Sequence, residues 1–199
     1  MLSQKPSAKE QQKINQFVQL AFEYNKKHNL FVRESEEQIH TIDVKESLEI
    51  LHFTKKAKTL LDIGTGAGFP GMIIGLMQPQ TKVTLAESSK KKTYFLKKTI
   101  KQLNAKNIKI VNEYVTKKSN LGEFDLITAR AFAATEKIIN TCRPFLKPKG
   151  SYTLLKGKKV KILEELKTIN KNTYNYEIIK LDDEEKERHI LLITNKDIE

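Results

Sequence analysis

Residues 62–71 read DIGTGAGFPG and follow directly on Thr59-Leu60-Leu61. Four glycines, a proline and a carboxylate within ten positions leave few folds open. A short apolar strand over 59–63 breaks into a glycine turn. A helix over about 70–77 follows, with Pro70 at a first-turn position that tolerates proline. Glycine permits positive φ there and lets a ligand press against the backbone. The helix behind it offers free N–H groups. This is the opening of an α/β unit that holds something at the carboxyl end of its first strand.

The rest of the chain keeps the alternation. VTLAE (83–87) reads as a second strand, and Ser88 or Ser89 caps a helix that reaches about Asn104. On that helix Leu96, Ile100 and Leu103 share one face, and Lys90, Lys97, Lys98 and Lys101 point the other way. IKIVN (108–112), FDLITA (124–129) and SYTLLK (151–156) read as further strands, with helices expected over 133–146 and 158–170. YEIIKL and HILLIT are joined only by the acidic DDEEKER, too short for a parallel crossover, so they should pair antiparallel. Before Gly64 there is no glycine. Ile14, Phe17, Val18 and Phe22 predict a helix over 8–29, and the acidic stretch 33–53 turns helix-like at Val44, Leu48 and Leu51. The expected architecture is a doubly wound, mostly parallel α/β sheet of seven strands with an antiparallel last strand. Residues 1–55 form a helical N-terminal extension and 56–199 the sheet domain.

Composition narrows the setting. At 199 residues and 39% hydrophobic, the chain can bury a core, and no stretch approaches the roughly 18 apolar residues of a membrane span. MLSQKPSAKEQQK lacks the apolar run of a secretory signal, and Cys142 is the only cysteine. A cytoplasmic protein away from membranes is expected, and nothing demands more than a monomer. His28, His40 and His52 have no metal-ligand spacing, so no metal is expected. The net charge of +12 is uneven. Ser88–Lys118 carries ten lysines against Glu113, and Arg143–Lys161 carries seven basic residues and no acid. Such polarity suits a polyanionic partner.

Two registers compete for the glycine turn. Gly66, Gly68 and Gly71 fit G-x-G-x-x-G, the dinucleotide fingerprint, but it starts three residues beyond the strand. Gly64, Gly66 and Gly68 fit D-x-G-x-G-x-G, which starts at once and carries Asp62 ahead of it. That arrangement serves S-adenosylmethionine, which has an ammonium and no pyrophosphate. In either register Glu87, at the end of the second strand, is placed for ribose hydroxyls, and Asp62 can brace the turn through nearby N–H groups. The first reading is therefore a cofactor-binding methyltransferase. An NAD-dependent oxidoreductase and a non-catalytic RNA-binding protein with a vestigial glycine turn remain as alternatives.

DIGTGAGFPG, RAFA at 130–133 and LKG at 155–157 together resemble the ribosomal small subunit methyltransferase G family, also called glucose-inhibited division protein B. YNKKHNL (24–30) and ERHIL (187–191) are similar to its terminal segments. Tyr24, the 43–47 segment DVKES and Thr135 depart from its usual residues. The resemblance implies a class I, Rossmann-like methyltransferase. It implies transfer of a methyl group from S-adenosylmethionine to N7 of a guanosine in 16S rRNA, nucleotide 527 in the 530 loop. The substrate would be rRNA within the 30S subunit or an assembly intermediate. Carried over by position, Gly64 and Phe69 would line the cofactor, Val115 and Thr116 would flank its adenine, and Arg130 would lie close to cofactor and substrate.

The chemistry agrees with that reading. Guanine N7 bears a free lone pair, so transfer rests on proximity and orientation rather than on a general base. No acid–base pair is visible, and no catalytic residue is assigned beyond a contribution from Arg130. The Asn/Asp-Pro-Pro-aromatic motif of amine methylation is absent, and Cys142, in a predicted helix, is read as structural. Phe132 is equally suited to base stacking and to the core, and His189 to a structural role or a phosphate. Arg130, Lys156, Lys158, Lys159 and Lys161 are the expected RNA contacts. The last four follow the fifth strand at the edge where substrate enters and are better placed than the lysines of 90–101, whose helix lies on a sheet face. The 8–29 helix either adds an RNA surface or covers the sheet.

Overall fold

The computed structural model describes residues 5–181 and 187–196. Helix α1 (Ala8–His28) opens on a capping box: Ser7 Oγ accepts the Glu10 N–H, and the Glu10 carboxylate accepts the Ser7 N–H at 2.8 Å. It ends at Asn29 in the left-handed conformation. Ile14, Phe17, Val18 and Ala21 bury its inner face. A short α2 (Glu36–Gln38) then runs into a π turn over Ile39–Val44, followed by α3 (Lys45–Glu49) and α4 (Leu51–Thr54). The wider π turn re-aims the side chains that follow it. Asp43 and Glu46 are buried beside Ile39 and Val44. The acidic stretch therefore turns two of its carboxylates inward.

Seven strands follow: β1 (Thr59–Ile63), β2 (Lys82–Glu87), β3 (Ile108–Asn112), β4 (Phe124–Arg130), β5 (Leu146–Lys156), β6 (Tyr174–Lys180) and β7 (His189–Asn195). They form one sheet in the order β3-β2-β1-β4-β5-β7-β6. Pairing is parallel from β3 to β5, and β7 runs antiparallel to both β5 and β6. This is the architecture expected from the sequence. Part of the acidic connection, 182–186, lies outside the described residues.

The inner parallel strands bury both faces, and successive residues choose opposite sides. Leu60, Val83, Leu85, Leu126 and Leu155 join α1, α5 (Gly71–Met77) and α6 (Lys90–Gln102) in one core layer. Leu61, Ala86, Ile127, Leu154 and Leu191 join α7 (Thr135–Cys142) and α8 (Lys159–Leu166) in the other. The N-terminal helices thus cover the sheet: Phe17 of α1 packs on Phe69 with ring centroids 5.0 Å apart.

Some element ends differ from the sequence reading, two of them where proline and glycine intervene. The helix expected over 133–146 spans only Thr135–Cys142, then tightens into a 3₁₀ turn at Arg143–Phe145 around Pro144. The fifth strand starts five residues early, at Leu146. It passes Pro148 and Gly150 through a register shift, from Phe124 opposite Leu146 to Leu126 opposite Ser151. Helix α8 ends at Leu166, short of the expected 170.

The strand order reverses between β1 and β4. The connection after β1 leads to one side of the sheet and that after β4 to the other, which opens a crevice at their carboxyl ends. The glycine turn and Arg130 both lie there.

Candidate active site

Gly64, Gly66 and Gly68 all adopt positive φ (63°, 62° and 106°), so the turn is wound through the register that starts directly after β1. Gly71 has a different reason to be glycine. A Cβ there would collide with Leu85 and lie 2.6 Å from Asp62 Oδ2, so its absence lets α5 seat against the sheet. The two overlapping glycine patterns are therefore complementary. Three positions shape the turn, and the fourth docks the helix.

Asp62 braces this turn from below. Its Oδ2 accepts the Gly71 N–H at 2.9 Å and the Thr65 hydroxyl. Its Oδ1 is buried and has no partner among the described residues. Burial pushes the Asp62 carboxyl up to about 7, against the opposing pull of the Thr65 and Gly71 hydrogen bonds and of Arg130. Glu87, buried at the end of β2, accepts the Gly66 N–H at 3.0 Å and the Ser89 N–H at 2.8 Å. One lone pair on each Glu87 oxygen remains for a diol. A left-handed cradle, an orphan buried acceptor and a carboxylate at the strand end suit S-adenosylmethionine. Glu87 would take ribose hydroxyls, and the acceptor behind the turn would favour the ammonium end.

The other predicted cofactor residues separate. Val115 is buried and Thr116 exposed just beyond β3, and the Thr116 N–H bonds Ser119 Oγ at 3.0 Å. Phe69 does not face open space. Its ring is 2% exposed, sits against Phe17 and Phe31, and carries the Arg130 guanidinium 5.4 Å above its centroid. The Phe69 ring packs in the core and supports Arg130, while its backbone stays within the glycine turn.

Arg130 ends β4 within a chain of alternating charges. Its Nη1 lies 2.6 Å from Asp43 and 3.3 Å from Glu46. Arg33 grips the same Asp43 with two N–H groups, and Arg188 bonds Glu46 at 2.7 Å. The sequence points to Arg130 but not to these partners. The Asp-x-x-Glu spacing at 43 and 46, among residues of apolar periodicity, is the only local signal for them. The π turn that buries both carboxylates is not written in it.

Arg33, Glu46, Arg130 and Arg188 line a cavity of about 500 Å³ at the carboxyl ends of β4 and β5, with Phe132 in its wall. The Phe132 ring rests on Gly64, where any side chain would collide with it. Ala131, before it, is held at a left-handed φ of 50°, a strained backbone for alanine. Cavity and glycine turn therefore meet at the Gly64–Phe132 contact. A groove of about 700 Å³ at the amino ends of β1, β2 and β3 is remote from all of these groups.

Lys156 also lines the cavity. Its side chain is 11% exposed, pairs with Glu165 at 2.7 Å and donates to the Ala133 carbonyl. The same Glu165 also holds the start of α7 through Thr135. Burial raises the Glu165 carboxyl, but the hydrogen bonds from Lys156 and Thr135 outweigh this and hold it below its usual range. Lys158, Lys159 and Lys161 are exposed at the start of α8. His189 is buried, with Nδ1 2.8 Å from the Gly157 carbonyl, which makes it structural. Cys142 is buried at the end of α7, and burial pushes its thiol up to about 12. Among the described residues no cluster of metal ligands occurs, and no helix is long and apolar enough to cross a membrane.

Comparison with known proteins places this geometry. Residues 10–191 match the family model of rRNA small subunit methyltransferase G. The chain is 34% identical to the ribosomal RNA small subunit methyltransferase G of Brachyspira hyodysenteriae over 187 residues, covering 92% of this chain and 90% of that one. It is 31% identical to the Marinomonas sp. protein of the same name, covering 93% and 88%. Among solved structures it resembles a Bacillus cereus O-methyltransferase in complex with SAH (TM-score 0.64, 11% identity, 91% of each chain). It also resembles the human methyltransferase 10 domain containing protein (TM-score 0.62, 17% identity, 96% and 100%). The structural likeness gives the fold, that of the class I methyltransferases. The sequence match extends from α1 into β7, and the chain belongs to the rRNA small subunit methyltransferase G family.

Proposed function

We propose that this protein methylates N7 of a guanosine in the 530 loop of 16S rRNA, with S-adenosylmethionine as donor. The observation that carries the reading is the junction of the cofactor turn with a base-sized cavity at Gly64 and Phe132. When bound, S-adenosylmethionine supplies a methyl group on a cationic sulfur, so transfer to a lone pair needs no proton removal.

The cavity matches that requirement. Its two carboxylates, Glu46 and Glu165, are both committed to cations, and neither is poised as a base. What remains is positioning. Phe132 offers a ring on which a purine can stack. Asp43 and Glu46 both engage Nη1 of Arg130, which leaves its Nε and Nη2 N–H groups to grip a base edge or a phosphate. N7 methylation leaves the purine positively charged, and uncompensated guanidinium groups beside it would oppose that charge. Asp43 and Glu46 offset much of it while fixing Arg130 and Arg188 in place. The N-terminal helices therefore contribute to the site by covering the sheet and supplying these carboxylates.

Lys158, Lys159 and Lys161 are the proposed phosphate contacts on the β5 side of the cavity. Replacing all three should flatten the salt dependence of rRNA binding and leave cofactor affinity unchanged; an unchanged slope would remove this assignment. The reaction itself is tested with labelled S-adenosylmethionine and 30S subunits from cells lacking this gene, with naked rRNA alongside. Label on N7 of one 530-loop guanosine is expected. Label elsewhere in the rRNA would keep fold and cofactor but overturn the acceptor.

A further inference from the structure

Helix α6 buries Thr93, Phe95, Leu96 and Thr99 against the sheet. Its outward face is unusual. Lys90, Lys91, Lys97, Lys98 and Lys101 surround Tyr94, with Tyr94, Lys97, Lys98 and Lys101 spaced as neighbours on one helical stripe. All are exposed, and Tyr94 is 62% exposed. A second tyrosine, Tyr114, is 64% exposed two residues beyond β3. The two segments are joined: Asn112 Nδ2 donates to Thr93 Oγ1 at 3.1 Å and to the Glu87 and Ser88 carbonyls. Lys117 and Lys118 continue the charge past Tyr114.

A solvated face would intersperse acids, as α1 does with Glu10 and Glu23. Here ten lysines between Ser88 and Lys118 meet one acid, Glu113. None of the ten is ion-paired with another described residue. The second basic stretch is muted by comparison, since Lys147 pairs with Asp125 and Lys156 with Glu165. Leaving this many like charges unpaired while exposing two aromatic rings among them is costly for a free surface and useful for one that meets a polyanion. The stripe also starts at the site. Glu87, three residues before Lys90, holds the Gly66 N–H of the cofactor turn. From there α6 runs about 17 Å to Lys101, at 1.5 Å per residue.

We infer that the outer face of α6, together with Tyr114, is a docking surface for unpaired rRNA, on which Tyr94 and Tyr114 stack bases while the lysines follow the backbone. The nature of the partner rests on the proposed function. Unpaired rather than duplex RNA is indicated because a duplex offers the lysines phosphates but offers the rings no open base face. This surface lies on the far side of the cofactor turn from Lys158–Lys161. The acceptor guanosine would then be held between two basic flanks.

Fluorescence anisotropy with a labelled single-stranded RNA of about 12 nucleotides, within the range of single-strand site sizes, and with an RNA duplex of the same length tests this. Tyr94→Ala should weaken single-strand binding roughly tenfold, Tyr94→Phe should restore it, and duplex binding should not respond. Lys97→Gln, Lys98→Gln and Lys101→Gln together should reduce the magnitude of the log–log salt slope by about 2. Calorimetric affinity for S-adenosylhomocysteine should be unchanged in each variant. Single-strand binding by Tyr94→Ala equal to wild type, or an unaltered salt slope, would overturn the surface. Tyr94-dependent RNA binding by a wild-type protein that labels no rRNA would support the surface and overturn the acceptor. Labelled rRNA with Tyr94-independent binding would do the reverse.

Discussion

Asp62 gives the sharpest test of the site's electrostatics. Its carboxyl moves from 3.8 to about 7 because burial penalises the charge more than its hydrogen bonds repay. A raised acid binds its proton more tightly in the folded state, so its contribution to stability is complete below about pH 4. It is lost as pH rises through about 7. Over the whole range this shift corresponds to about 4 kcal/mol, and between pH 5 and pH 8 to about 2.5 kcal/mol. Asp62→Asn keeps an acceptor for the Gly71 N–H and Thr65 hydroxyl but has no proton to lose. The amide places an NH₂ where Oδ1 has no partner, a penalty that does not vary with pH. Urea unfolding of both ligand-free proteins at pH 5, 6, 7 and 8 separates the two effects. The stability of Asp62→Asn relative to wild type should improve steadily toward pH 8, by about 2.5 kcal/mol in total. A difference that stays flat across the range would refute the reasoning, whatever its absolute size.

Four further outcomes follow from the same geometry. Asp43→Ala strands the Arg33 and Arg130 guanidinium groups and should cost about 3 kcal/mol in urea unfolding. Gly64→Ala demands a left-handed alanine and collides with Phe132, so calorimetry should detect no S-adenosylhomocysteine binding. Phe132→Ala should lower kcat/KM for rRNA methylation roughly tenfold through lost stacking, and unchanged kinetics would return Phe132 to the core. Cys142→Ala should keep full methyl transfer while losing about 1 kcal/mol of stability, because its thiol is buried and pushed up to about 12.

Much of this protein is determined locally. Short apolar-rich runs with glycine or serine stops set the strands: β1, buried along nearly its whole length, and the edge strand β3, buried only at Ile108, both fall where TLLDI and IKIVN predict. The glycine turn is legible because positive φ and close backbone approach leave glycine as the residue that fits. Charge patterning marks Ser88–Lys118, but not its orientation, and position along the sheet ranks it below Lys158–Lys161 because these follow the fifth strand. Tertiary structure decided the rest. Whether a lysine is free depends on which groups pack beside it, and Glu165, nine residues after Lys156, removes that lysine from the surface. The Phe69 ring lies within the glycine motif yet packs on Phe17 of α1 and on Phe31 in the turn after it. Nothing local marks Asp43 and Glu46 as partners of Arg130, more than eighty residues away, until a π turn and the arrival of β4 bring them together. Hydrophobic periodicity is written along the chain within a few residues. A buried ion network is not, because its members are chosen by the strand order that makes them neighbours.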